Sequence, residues 1–155
     1  MDSRVSPCPD CGGIQPPGAS CRECFDALLA YEFERPAAFG AVHHLTVASY
    51  YLQHPKGYSL ETLEAWREVV KAPQDSRRTQ RDLLDAMSAR FEGAKRVRDS
   101  RASIPGWWPA SWPKTVRDAF DPNAPLPEVA AYVEAARAWA ESVRDCLDRA
   151  SLKEN

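Results

Sequence analysis

Four of the five cysteines lie in two closely spaced pairs near the start of the chain, a spacing that is typical of metal sites. The pairs are Cys8-Pro-Asp-Cys11 and Cys21-Arg-Glu-Cys24, with nine residues between them. Two intervening residues allow both thiolates of a pair to face one ion, while nearby backbone N–H groups can donate hydrogen bonds to the sulfurs. Four thiolates in a tetrahedral array suit Zn²⁺, so we predict one structural zinc ion bound by these four cysteines.

The same spacing also fits iron bound by four thiolates, and this alternative stays open. Two disulfides are disfavoured because residues 1–20 lack the apolar core of a signal peptide, so we expect a cytoplasmic, reducing location. A four-cysteine site has no open coordination position, and the predicted zinc should therefore organise the chain rather than catalyse. The fifth cysteine, Cys146, lies at helical spacing from Trp139 and Val143 and is expected to be a small core residue.

All three histidines fall within twelve residues, and two of them share a predicted helix face with a tyrosine. Steps of four, three and four residues place His43, Val47, Tyr50 and His54 on that face. Eleven residues of helix span about 16 Å, so His43 and His54 cannot bind one ion unless the helix breaks.

Three interpretations of this helix face stay open. The polar side chains are structural and hydrogen-bonded at helix ends, or they form a second metal site with Glu32 or Glu34. The third interpretation is a small-molecule pocket, with these candidate residues: His43, Tyr50, Gln53 and His54.

The elements that position these residues are predicted to be helices almost throughout. Apolar residues recur every three or four positions, and proline or serine marks the ends of helices near 22–34, 37–53 and 60–72. A fourth helix begins near residue 75 and a long one near Pro127, with a short helical turn at 113–120. The buried positions of the fourth helix should be Leu83, Leu84, Met87 and Phe91.

This pattern predicts a mainly α fold, a bundle of four to five helices with a small N-terminal zinc knuckle or ribbon. We assign residues 1–24 to the knuckle, 25–150 to the helical bundle packed on it, and 151–155 to a frayed tail. The segment 104–113 contains three tryptophans and three prolines, and we expect an ordered loop across the helices. Its candidate contact residues are Trp107, Trp108 and Trp112.

Charge and hydropathy limit the classes of partner. The chain of 155 residues has 20 Lys and Arg against 22 Asp and Glu, a net charge of −2 that excludes an overall basic protein. No apolar run approaches the 18 residues of a membrane span. Residues 77–117 nevertheless contain ten basic and four acidic side chains, a net charge of +6. The basic positions at 77–101 could bind nucleic acid, although interleaved acidic residues favour a solvated or ion-paired face.

The chain resembles a family of uncharacterised bacterial proteins known only as a domain of unknown function. The resemblance is carried by the Cys-Pro-x-Cys-Gly knuckle at 8–12 with the following Cys-x-x-Cys, and by a tryptophan-containing terminal helix at 139–143. The third element is His-x-x-x-Val-x-x-Tyr-x-x-Gln-His-Pro at 43–55. The family implies no reaction, but the resemblance draws attention to the polar residues of the middle motif.

These observations favour a zinc-binding protein that is a non-enzymatic adaptor or regulatory interaction protein, with an unidentified protein partner. The alternative is an enzyme or small-molecule-binding module that uses His43, Tyr50 and His54, with or without a second metal. Nucleic-acid binding through residues 77–101 ranks below both. The sequence contains no recognised nucleophile–base pair or phosphate-binding glycine loop, so whether it is an enzyme stays open.

Overall fold

The computed structural model describes residues 6–14, 20–56, 58–72 and 104–154. Within them, the chain is mainly helical, as predicted, and its only β pairing is an isolated antiparallel bridge between Pro7 and Ile14. The described residues contain six helices: α1 Cys21–Phe33, α2 Pro36–Phe39, α3 His43–Gln53, α4 Leu60–Lys71, α5 Val116–Ala119 and α6 Val129–Leu152. The predicted number was four to five.

One reason for the larger number is that the second predicted helix, 37–53, is divided into α2 and α3. Gly40 is the C-terminal cap of α2 and Val42 the N-terminal cap of α3, with a non-helical backbone at φ −122°. Glycine has low helix propensity, and the side chain of Val42 is completely buried in the core. The break therefore places His43 at the very start of α3.

Serine caps begin two of the helices that matter for the site. The Ser20 hydroxyl accepts a hydrogen bond from the Glu23 N–H at 3.1 Å, while the Ser20 N–H donates to the Glu23 carboxylate at 2.7 Å. This reciprocal capping box starts α1 at Cys21. The predicted Ser59 cap of α4 is confirmed, because its hydroxyl accepts from the Thr62 N–H at 3.1 Å.

Like the long helix α6, which packs against α2, α3, α4 and α5, helix α3 contacts several of the other described helices. It packs against α4, α5 and α6, while α1 contacts α2 and α5. Burial of one large apolar side chain contributes about 1.5–3 kcal/mol. The largest completely buried apolar side chains are Phe25, Leu28, Phe39, Leu52, Leu63, Tyr132, Trp139 and Leu147.

The last helix is longer than expected. α6 continues through Ser151 and Leu152, two residues into the predicted frayed tail. Cys146 is half-buried and packs against the core, in agreement with its predicted role. None of the helices in the described segments is both long and apolar enough to cross a bilayer. The fourth predicted helix, with Leu83, Leu84, Met87 and Phe91, and the basic segment 77–101 lie outside the described residues.

The tryptophan-rich loop lies across the helices, as predicted, and two of its indoles are buried. The Trp108 Nε1–H donates to the Leu52 carbonyl at the end of α3 at 3.0 Å. Trp112 is 6 % exposed, and its backbone N–H donates to the Cys11 carbonyl at 3.2 Å. Trp107 is half-buried. A partner-contact role for this loop stays a prediction, and two of its three indoles are already used in the core.

Candidate metal centre

The first cysteine pair lies in a tight turn held by its own backbone. The Cys8 N–H donates to the Gly13 carbonyl at 2.8 Å, and the Gly12 N–H donates to the Cys8 carbonyl at 2.9 Å. Gly12 has φ +74°, in the left-handed region that favours glycine. The Gly13 N–H lies 3.3 Å from the Cys11 sulfur, a hydrogen bond of the kind that stabilises metal-bound thiolates. This turn therefore directs both thiols to one side.

The third thiol comes from the start of α1. Cys21 is the first helical residue after the Ser20 cap and is 3 % exposed. Its sulfur lies 3.6 Å from the Cys11 sulfur. Partial positive charge at the N-terminus of a helix favours a thiolate at this position.

The fourth donor is His54, which caps the C-terminus of α3. Its Nδ1 lies 2.8 Å from the Tyr50 carbonyl and donates to it, because a carbonyl can only accept. This hydrogen bond occupies Nδ1, so Nε2 is the ring nitrogen that is available to a metal ion. Nε2 lies 3.6 Å from the Cys8 sulfur.

Aromatic stacking fixes the orientation of the His54 ring. The ring stacks on Tyr50 with 4.2 Å between ring centroids, and Tyr50 stacks on Phe25 of α1 at 3.9 Å. The contacts connect the C-terminus of α3 to the helix that begins at Cys21. A carbonyl that orients the imidazole through its second nitrogen is the usual outer partner of a metal-bound histidine.

Together, Cys8, Cys11, Cys21 and His54 place four donor atoms within 4.8 Å of one another. A tetrahedral zinc with Zn–S bonds of about 2.3 Å separates two sulfurs by about 3.8 Å, and a sulfur and an imidazole nitrogen by about 3.6 Å. The observed distances of 3.6 Å, one between two sulfurs and one between sulfur and nitrogen, match this geometry. The three cysteines are buried and the histidine is half-buried. These residues could hold one metal ion with no position left open.

Crowding of the thiols changes their acidity. The hydrogen bond with Cys11, followed by burial, raises the pKa of Cys21 to about 12. Several buried thiolates repel one another, so without a metal the protonated thiols are favoured. A bound divalent cation reverses this preference by stabilising the deprotonated sulfurs. The chemistry of the donor set is therefore suited to a cation.

The predicted fourth ligand, Cys24, is not part of this group of donors. It lies one turn further along α1, its side chain is completely buried, and burial raises the pKa of its thiol. Spacing alone did not distinguish it from His54, because the approach of His54 depends on the packing of α3 against α1. The available signal was the Gln-His-Pro end of the middle motif, for which the sequence left a structural role, a second metal site and a ligand pocket open.

The structure separates the four pocket candidates. Tyr50 is buried between Phe25 and His54, and burial raises the pKa of its hydroxyl. Gln53 is completely buried: its amide NH₂ donates to the Lys114 carbonyl at 2.6 Å. Its amide oxygen accepts from the Trp139 indole at 3.2 Å.

The remaining candidate, His43, lies at the opposite end of α3 from His54. Its Nδ1 is 2.6 Å from the carboxylate of Glu32, whereas Glu34, the other predicted partner, caps α1 and is exposed. Within the described ranges, the cysteine–histidine cluster is the one group of three or more potential metal donors. A second metal at His43 and Glu32 stays a prediction, supported by two donors.

Comparison with known proteins gives a family but no activity. No curated protein and no solved structure matches the chain. The model of one family matches residues 6–148, which include every residue of the cysteine–histidine cluster. This chain belongs to DUF5946, a family of unknown function.

Proposed function

We propose that this chain is a zinc-binding protein in which Cys8, Cys11, Cys21 and His54 bind one structural ion. The observation that carries the proposal is the convergence of four donor atoms within 4.8 Å from three separate parts of the chain. The N-terminal turn gives two donors, the start of α1 gives one and the end of α3 gives the fourth. An ion at this position would cross-link all three.

The donor set favours zinc over iron. Three thiolates and one imidazole form a common structural zinc site, whereas the mononuclear iron alternative was based on four thiolates. The Nδ1 hydrogen bond to the Tyr50 carbonyl orients the ring so that Nε2 would be the ligating atom.

A structural role follows from the number of donors. Four protein ligands complete a tetrahedral zinc shell and leave no position for water or substrate. We therefore propose a non-enzymatic adaptor or regulatory protein whose zinc stabilises the surface formed by the N-terminal turn. The Lys56–Asp10 ion pair, at 2.8 Å, would help to hold this turn beside the end of α3.

The alternative function, an enzyme or ligand-binding module built on His43, Tyr50 and His54, has less support. These side chains belong to two separate clusters, and Tyr50 is buried by stacking. Nucleic-acid binding through the basic segment 77–101 stays a prediction outside the described residues.

The test is the metal content of three variants purified under identical reducing conditions. We expect one zinc per chain in the wild type and in Cys24→Ala, which preserves a small apolar side chain in a buried position. Cys21→Ala and His54→Ala should lose the ion, because a tetrahedral site with three ligands binds zinc much more weakly.

Cys24→Ala and His54→Ala form a matched pair that distinguishes the two possible fourth ligands. Zinc retained by His54→Ala and lost by Cys24→Ala would contradict our ligand set and favour four cysteines. If His54→Ala does not fold, Co²⁺-loaded Cys24→Ala decides the question. An absorption spectrum identical to that of the Co²⁺-loaded wild type supports the proposal, and a changed spectrum contradicts it.

A further inference from the structure

A second polar cluster surrounds the buried carboxylate of Glu32, away from the cysteine–histidine cluster. Glu32 is 3 % exposed, and three side chains donate to it. The Thr46 hydroxyl is 3.0 Å from Oε1, the Tyr132 hydroxyl also donates to Oε1, and the His43 Nδ1 is 2.6 Å from Oε2. A buried carboxylate with this many donors is held in one orientation.

The Glu32 cluster borders a cavity of about 260 Å³. The cavity is partly open to solvent, and apolar side chains form most of its wall. It is lined by Glu32, Phe33, Pro36, Phe39, Gly40 and His43. Ligand pockets typically have volumes of about 300–1,000 Å³, so this cavity suits a ligand of few atoms.

Phe33 is exposed to an extent that the fold does not explain. Its side chain is 80 % accessible, although large apolar side chains usually gain stability from burial. It lies next to Glu32 in the chain and lines the same cavity. An exposed aromatic ring at the edge of a cavity is available to pack against a ligand.

His43 presents one nitrogen for recognition. Its Nδ1 is occupied by Glu32, while its Nε2 has no hydrogen-bond partner among the described residues. The ring is 42 % exposed and lines the cavity. The hydrogen bond that His43 donates to Glu32 raises the pKa of His43, against the opposing effect of burial, and so favours the doubly protonated ring.

We propose that this cavity is a binding site for a small carboxylic acid with an aromatic or branched apolar body. The His43 Nε2–H would donate to the ligand carboxylate, while Phe33 and Pro36, which line the cavity and are exposed, pack against the apolar body. Glu32 does not contact the ligand in this arrangement; it positions the His43 ring and keeps Nδ1 occupied.

One feature favours a carboxylate over a neutral acceptor, and a second requires that this carboxylate carry an apolar body. A hydrogen bond between a protonated imidazole and a carboxylate is about twice as strong as a neutral one. The apolar wall gives little affinity to a small hydrophilic anion such as acetate, because such an ion has no surface to bury against it.

The test uses phenylacetate as the probe and the zinc-loaded protein. Titration is followed by the ¹⁵N and ¹H resonances of the His43 ring and of the backbone. We expect saturable shifts at His43 and in α2, with a dissociation constant in the low-millimolar range that is typical of a ligand of this size. Phenylacetamide and acetate should each bind about tenfold more weakly or not at all.

Two variants connect binding to the cavity. His43→Gln should weaken phenylacetate binding by about tenfold, since it removes a charged donor. Phe33→Ala should weaken it several-fold with an unchanged melting temperature, because the ring is exposed. The matched control is Leu152→Ala, which removes another exposed apolar side chain, 71 % accessible, from the far end of α6.

Each alternative outcome overturns the proposal. No saturable shift would show that the Glu32 cluster serves the fold alone. Equal binding of phenylacetamide would contradict the carboxylate specificity, and wild-type affinity in both His43→Gln and Phe33→Ala would place any binding elsewhere. The cavity and the cysteine–histidine cluster share no residue, so ligand binding and metal content are read from different variants and the two proposals can fail separately.

Discussion

Replacement of Glu32 by leucine should destabilise the protein chiefly by leaving one hydroxyl without a partner. Leucine removes the acceptor of three donors, but two of these donors have an alternative. The Thr46 hydroxyl already lies 2.9 Å from the His43 carbonyl, and the half-exposed His43 ring can reach water. The Tyr132 hydroxyl belongs to a side chain that is 1 % exposed, so it has no water nearby, and the neighbouring Thr46 hydroxyl is already engaged with the His43 carbonyl.

The magnitude follows from these partners. An orphaned buried hydroxyl costs about 1–3 kcal/mol, and each lost hydrogen bond to a charged group costs about 1.5–3 kcal/mol. The desolvation cost of the buried carboxylate disappears at the same time and offsets part of this loss. We expect Glu32→Leu to lower the free energy of unfolding by about 3 kcal/mol.

A sharper test is whether Tyr132→Phe raises or lowers the free energy of unfolding in each background. In the wild type, Tyr132→Phe should cost about 1.5 kcal/mol, because it removes a donor to the carboxylate. In the Glu32→Leu background the same substitution should stabilise by about 1 kcal/mol, because it removes the orphaned hydroxyl. Two substitutions that both affect one hydrogen bond are therefore not additive.

The assay is urea unfolding of the zinc-loaded wild type, the two single variants and the double variant. The free energies are compared only if the slope of free energy against urea concentration is the same for all four proteins. Tyr51→Phe is the control, since Tyr51 packs against Tyr58 and Trp66 and should have the same small effect in both backgrounds. If Tyr132→Phe destabilises the Glu32→Leu protein as much as the wild type, the hydrogen bond between Tyr132 and Glu32 does not form.

Three further predictions concern pH, the N-terminal turn and metal removal. Glu32 raises the folded-state pKa of His43 above its ordinary value of 6.5, so its stabilisation is complete below pH 6.5 and is lost as pH rises through the raised pKa. His43→Gln should therefore destabilise more at acidic than at alkaline pH in urea unfolding, and an equal effect would contradict the pair. Gly12→Ala should cost about 1–2 kcal/mol because Gly12 has a positive φ and its Cβ would lie 3.2 Å from the Ser111 hydroxyl. Gly106→Ala, which meets no atom within 4 Å, should leave the melting temperature nearly unchanged. A zinc chelator should lower the melting temperature by about 10 °C, reversibly on zinc addition, and no change would contradict a structural ion.

Local sequence signals predicted most of the helices and three of the four clustered donors. The period of apolar residues located α1, α4 and α6, and the Ser59 cap located the start of α4, because these features act within one turn of helix. Cysteine spacing predicted Cys8, Cys11 and Cys21 for the same reason.

The rest depends on contacts between elements distant in the chain. His54 reaches the cysteines because Tyr50 stacks between it and Phe25, a contact between α3 and α1 that no local pattern encodes. The division of the second helix at Val42 likewise follows from core packing. The separation of His43 from His54 was predicted from helix length, and the structure places them in two different clusters.

The most direct measurement of the proposed site is X-ray absorption at the zinc edge of the purified protein. We expect three sulfur neighbours at about 2.3 Å and one nitrogen neighbour at about 2.0–2.1 Å, with the outer scattering of an imidazole ring. Cys24→Ala should give the same spectrum. Four sulfur neighbours, or none, would contradict binding by Cys8, Cys11, Cys21 and His54.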